Sequence, residues 1–249
     1  MEYRKITTEQ IAAYEHYLQT EERAPATAEK YMRHIQRFTL WLGERSVVRE
    51  AVTGWKECLL AQGRAPATVN GALAALNGFF RFLGWEDCRV KFLKIQRRMF
   101  REQSRELTRA DYDRLITAAQ ARGRDRLALL METICATGIR VSEVKYITVE
   151  AAKAGRAEIA LKGKIRVILI PNKLCRKLLK YAKKNKTASG EIFLTRNGTP
   201  MSRRQIWAEM KGLCKTAGVA ASKVFPHNLR HLFAAAFYWA SRDIVKLAD

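Results

Sequence analysis

Through most of this chain, apolar side chains recur at the three- and four-residue spacing of one helical face. Tyr31, Ile35, Phe38 and Leu42 form one stripe, and Leu73, Leu76, Phe80 and Leu83 form another. Each stripe follows a copy of one short string, Arg23-Ala24-Pro25-Ala26-Thr27 and Arg64-Ala65-Pro66-Ala67-Thr68, forty-one residues apart. Two copies are too few for a stacked repeat, so the echo predicts two helical hairpins packed into a small all-helical domain. Apolar positions 127, 130, 131, 134 and 135 predict a helix over 124–136, stopped by Thr137-Gly138, which leaves Arg140 at a turn between helices. The period then changes: 157–162 and 165–170 are short, rich in branched residues and split by Gly163, which predicts a β-hairpin closed by Pro171. Helical spacing returns with Leu174, Leu178 and Tyr181 and holds for the remainder.

Between these regions Gln96–Glu106 loses its apolar period and carries four arginines, Arg97 and Arg98 among them, which reads as an exposed linker able to lie against phosphates. Thr108 then offers an N-cap, with Asp111 supplying a first-turn carboxylate. The expected organisation is an all-helical domain over 1–95, a basic linker over 96–108 and a mixed α/β domain with one small sheet over 109–249; the whole is mainly α.

Charge changes this picture more than composition does. The 249 residues hold 46 Lys+Arg against 24 Asp+Glu, a formal +22, which points to a polyanionic partner and first to nucleic acid. The excess is uneven: residues 1–95 carry 14 basic and 11 acidic side chains, whereas 109–249 carry 28 and 11, so the second domain holds the field. Within it, seven basic residues and no acid fall between Lys173 and Lys186. In the first domain the faces opposite the stripes offer Lys30, Arg33 and Arg37, then Asn70, Asn77 and Arg81. No apolar run approaches the ~18 residues of a membrane span, and no signal peptide opens the chain, so it reads as a soluble cytoplasmic protein with no membrane partner. The five cysteines (Cys58, Cys88, Cys135, Cys175, Cys214) show neither disulfide nor zinc spacing and read as buried free thiols.

The chemistry concentrates in two strings about ninety residues apart, Ala136-Thr137-Gly138-Ile139-Arg140-Val141-Ser142-Glu143 and His227-Asn228-Leu229-Arg230-His231. Two guanidiniums and an imidazole suit a phosphodiester, because the planar fork of arginine donates to non-bridging oxygens and stays charged at working pH. Pro226 is expected to open the helix that carries His227 and Arg230 on one face, so backbone N–H groups would add to the grip on an anion.

These strings resemble the two arginine boxes of the tyrosine recombinases, the phage integrase family, and the resemblance covers nearly the whole chain. It implies an N-terminal SAM-like core-binding domain, with the Lys30 and Asn70 faces toward DNA, and a C-terminal catalytic domain. Arg140, His227 and Arg230 match catalytic positions, and Glu143 and His231 match supporting ones. Lys162, at the hairpin turn, matches the catalytic lysine, with Lys164 as the alternative because the string is one residue short before Arg166. Ser202, Arg203 and Arg204 match a phosphate-contact position. The implied reaction is site-specific recombination of double-stranded DNA through a 3′-phosphotyrosyl link, without metal or other cofactor, by protomers assembled as a tetramer on two sites. The family's tyrosine lies roughly thirty residues beyond the second box, whereas Asp249 is nineteen beyond Arg230. Tyr238, eight residues on, falls among packing aromatics and does not fit that spacing. The expectation is therefore a recombinase body without its nucleophile, inactive in cleavage and monomeric in solution. Alternatives are a non-catalytic DNA-binding accessory or regulatory protein built on the same clamp, and a type IB topoisomerase.

Overall fold

A computed structural model describes residues 4–96, 105–161 and 164–241, in two compact units, Met1–Arg98 and Met99–Asp249. Arg97, Arg98 and Lys162 lie outside the described residues, as does the side chain of Lys164.

The first unit holds α1 (Thr8–Thr20), α2 (Pro25–Leu42), α3 (Arg49–Ala61) and α4 (Pro66–Phe82). The echo marks two helix starts: Pro25 and Pro66 each occupy the first turn, where a missing N–H costs nothing. Both stripes point inward: Ile35, Phe38 and Leu42 of α2 and Leu73, Leu76 and Phe80 of α4 are buried in one core with Tyr14, Val52 and Trp55. Aromatic edges lock it, as where the Phe80 ring meets Phe38 at 6.2 Å and 77°.

The opposite face of α4 has a different task from the one its polarity suggested. Asn70 donates to the Leu93 carbonyl at 2.9 Å and accepts from the Leu93 N–H at 2.8 Å. Asn77 treats Val90 the same way, at 2.9 and 3.1 Å. The two amides thus clasp the extended segment after α4 as a neighbouring strand would, and this corrects their reading as DNA-facing groups: each spends a donor and its acceptor on backbone that has no other partner there.

The second unit holds α5 (Arg109–Ala121), α6 (Asp125–Thr137), α7 (Val149–Ala154), β1 (Arg156–Leu161), β2 (Lys164–Leu169), α8 (Asn172–Lys184), α9 (Arg203–Lys211), α10 (Cys214–Ala217) and α11 (Pro226–Ser241). The strands pair antiparallel from Arg156 opposite Leu169 to Leu161 opposite Lys164. The core joins α5, α6, the inner hairpin face and α8, with Leu115, Leu130, Ile159, Leu178 and Leu229 all buried. The basic run lies on α8 over buried Leu174 and Leu178; Lys177 pairs with Glu132 and Lys184 with Asp125. The cysteines are free, three buried and Cys58 and Cys135 half-buried. Among the described residues no helix is long and apolar enough to cross a membrane.

Thr108 and Asp111 start α5 with a reciprocal cap, and Arg114 at 2.6 Å and Lys223 at 3.2 Å also hold the nearly buried Asp111 carboxylate. Burial pushes that carboxyl up, but Thr108, Arg114 and Lys223 outweigh it and hold it at about 2 against an ordinary 3.8. A depressed carboxyl stabilises the fold above its unfolded value, so the contribution, about 2 kcal/mol, is lost as pH falls from near 4 toward 2. Urea unfolding across that window should show the loss in the wild-type chain and a flatter profile in Asp111→Asn.

Candidate active site

The site begins where α6 stops. Gly138 adopts the left-handed conformation, φ 63°, and its N–H returns to the Ile134 carbonyl, ending the helix in one residue. Ile139 then turns into the core and Arg140 outward, as the first residue before a 3-10 turn over Val141–Tyr146. Glu143 sits in that turn with its side chain only 2% exposed. It accepts from the Arg140 backbone N–H at 2.9 Å, from Arg140 Nη1 at 2.8 Å and from Arg166 Nη2 at 2.6 Å.

One buried carboxylate therefore sets two guanidiniums in place. Burial pushes the Glu143 carboxyl up, yet the bonds from Arg140 and the charges of Arg140 and Arg166 more than reverse this and leave it below the ordinary range. The orientation matters as much as the charge: Glu143 lies beneath, while the Arg140 side chain is 56% exposed above it.

Pro226 opens α11, and Asn228 fixes the entry by donating to the Arg105 and Lys223 carbonyls at 2.7 and 2.8 Å. His227 and Arg230 then share a face one turn apart. Arg230 reaches back to donate to the Gly138 carbonyl, which ties the two strings into one site. Burial lowers the Arg230 pKa, and Arg140 and Arg166 lower it further while Glu143 opposes them, as expected of three cations gathered around one anion. His231 stands beside His227, ring centroids 4.3 Å apart at 75°.

These groups open onto a cavity of about 710 Å³. Arg140, Arg230, His227, Arg203 and Arg204 line it together with Ser142, and no acid does; Ile139, Val141, Trp207, Phe225 and Pro226 form an apolar wall. Ser202 caps α9 by accepting from the Gln205 N–H at 3.2 Å, which sets Arg203 and Arg204 in the first turn, at the cavity's edge. With preorganised donors and no competing carboxylate at its surface, the cavity is built to hold an anion in a partly dry place, where such donors count most.

The structure thus brings Arg140, Glu143, His227, His231, Arg230, Arg203 and Arg204 together. In the first unit Lys30, Arg33, Arg37 and Arg81 are exposed; Arg33 is paired with Glu29 at 2.5 Å and the Lys30 ammonium leans over Gly71 of α4. Arg166 was not among the expected site residues. Its signal was present: it shares the inward face of β2 with Ile168 and Ile170, and a charge at such a position needs a buried partner. Tyr238 is 41% exposed on α11 against Trp239 and does not line the cavity.

With this geometry in view, comparison with known proteins is specific. The model described as "Phage integrase family" matches residues 105–249, and "Phage integrase, N-terminal SAM-like domain" matches 11–87. The tyrosine recombinase XerD of Brucella suis is 31% identical over 240 residues, 85% of this chain and 78% of that protein. The tyrosine recombinase XerA of Thermococcus kodakarensis is 29% identical over 236 residues, 91% of this chain and 80% of that protein. The crystal structure of a lambda integrase dimer bound to a COC′ core site shares the fold at a TM-score of 0.78 and 18% identity, covering 97% of this chain and 73% of that one. The mainly α fold, with its SAM-like first domain and small antiparallel sheet in the second, agrees with the sequence expectation.

Proposed function

We propose, from the premise that this chain belongs to the phage integrase family, that its second unit grips one phosphodiester of double-stranded DNA and activates it for site-specific recombination. One observation carries the reading: buried Glu143 holds Arg140 and Arg166 beside Arg230, at a cavity whose lining contains no acid. Arg140 and Arg230 bind the non-bridging oxygens and neutralise the charge that grows on the pentavalent phosphorane. Arg166 acts through Glu143, holding that carboxylate in place from the hairpin side. His227 assists proton transfer at the attacking oxygen, and Lys162 protonates the leaving 5′-oxygen. Attack by a tyrosine gives the 3′-phosphotyrosyl link whose energy is kept for rejoining. Among the described residues none of the cavity's lining groups is a tyrosine, so the attacking hydroxyl is assigned to none of them. Ser202, Arg203 and Arg204, with Lys30, Arg33, Arg37, Arg81, Arg97 and Arg98, add sequence-independent backbone contacts.

The same grip without cleavage would serve an accessory DNA-binding protein, and cavity walls free of tyrosine favour keeping that second reading. Both require one phosphate to be held by Arg140. In a duplex selected from a random pool, replacing phosphates one at a time by neutral methylphosphonate should weaken wild-type binding sharply at one position per half-site. A charged hydrogen bond is worth about 1.5–3 kcal/mol, roughly ten- to a hundredfold. Arg140→Ala should lose that position's effect and keep the others. Equal sensitivity at every position in both proteins would refute the grip, and a denaturation-resistant protein–DNA adduct on nicked duplex would separate recombinase from accessory protein.

A further inference from the structure

We infer that Trp207 is a stacking platform for an unpaired nucleobase beside the gripped phosphate, so that the site prefers DNA frayed or mispaired there over continuous duplex. The inference rests on the phosphodiester reading above and adds what the remainder of the cavity is for.

At about 710 Å³ the cavity falls among sites that hold whole small molecules, roughly 300–1,000 Å³, far more room than one phosphate group fills. Its apolar wall has no use for a phosphate, yet a phosphodiester necessarily brings a deoxyribose and a base on each side. Trp207 follows Arg203 and Arg204 at the four- and three-residue spacing of one helical face, so α9 presents two cations and then an indole to the cavity. The indole is 47% exposed, although large aromatic rings normally find a partner. Lys211 stands over the ring with Nζ 5.3 Å from its centroid and is itself tied to the Ala221 carbonyl, so the platform is braced from within its own unit. A charged groove interleaved with an aromatic is the arrangement that binds single strands, because every base has a π-face to offer. A paired base inside a duplex already has both faces covered by its neighbours. Only an unpaired base can give a face to Trp207.

The test uses the full chain and nicked duplexes that differ in one respect: the base beside the phosphate found by the methylphosphonate scan is 2-aminopurine, either paired or mispaired. The wild-type chain should bind the mispaired duplex roughly tenfold more tightly than the paired one and quench its fluorescence. Trp207→Ala should erase both the preference and the quenching, while Trp207→Phe keeps most of each. An equal loss on both duplexes in Trp207→Ala, or a preference that survives it, overturns the inference. Arg140→Ala is the separate control: if it binds both duplexes as well as wild type does, the phosphodiester reading fails, whatever Trp207 does.

Discussion

Glu143→Ala should lower the melting temperature of the second unit by on the order of ten degrees, and Glu143→Gln by less. Removing one member of a buried charge pair costs about 3–5 kcal/mol because its partners stay buried without compensation. A unit of this size loses roughly 2–4 °C for each kcal/mol. Here the carboxylate faces two guanidiniums at 2.8 and 2.6 Å with a third, Arg230, nearby, so its loss leaves three cations to repel one another. The Arg140 backbone N–H also loses its acceptor, and the 3-10 turn that aims the side chain outward loosens. Glutamine restores an acceptor but not the charge, which is why it should fall between. A purely structural carboxylate would lose stability in the same way, so a second readout is needed. Sulfate added to Glu143→Gln supplies an anion to the exposed cations and should raise its melting temperature more than it raises that of the wild-type chain. Equal shifts would mean that the arginines do not act together as an anion site.

What the sequence made legible and what it hid divide along a physical line. The stripes of α2 and α4 were readable because a helix repeats its buried face every three or four residues, and the hairpin because strands alternate. The turn at Gly138 was readable because few residues other than glycine accept its backbone conformation. Asn70 and Asn77 misled because a polar residue opposite an apolar stripe has the same appearance whether it faces solvent or a neighbouring chain segment. Their partners, Val90 and Leu93, lie in an extended stretch with no period of its own. Arg140 and Glu143 could be paired from spacing, but only the fold shows that the carboxylate is buried beneath and the guanidinium exposed above, the difference between a surface ion pair and a fixed anion clamp. Arg166 joins them across twenty-three residues of sequence, a separation that no local pattern encodes. Trp207 read as one more helical residue, because its exposure depends on what α9 fails to pack against.

Gly138→Ala is expected to damage stability and site geometry together, and Gly155→Ala shows how the two causes separate. Both glycines end helices in the left-handed region, at φ 63° and 70°, where a Cβ costs roughly 1–2 kcal/mol. At Gly155 nothing lies within 4 Å of an added Cβ, so its substitution should cost only that. At Gly138 the same atom would sit 2.6 Å from Phe233 Cε1 and closer still to Cδ1, inside contact distance with the side of α11 that packs on α6. Overpacking of this kind adds about 1–3 kcal/mol, so Gly138→Ala should unfold at a clearly lower urea concentration than Gly155→Ala. The clash also bears on Arg230, which donates to the Gly138 carbonyl from the helix turn just before Phe233. Moving α11 away to admit a methyl group breaks that tie, so DNA affinity should fall in Gly138→Ala and hold in Gly155→Ala. Adding Phe233→Ala makes the assignment quantitative. If the ring is the obstacle, the double variant is less destabilised than the sum of the two single ones, and recovers affinity with stability. Strict additivity would place the whole cost in the backbone and leave Gly138 as an ordinary helix cap.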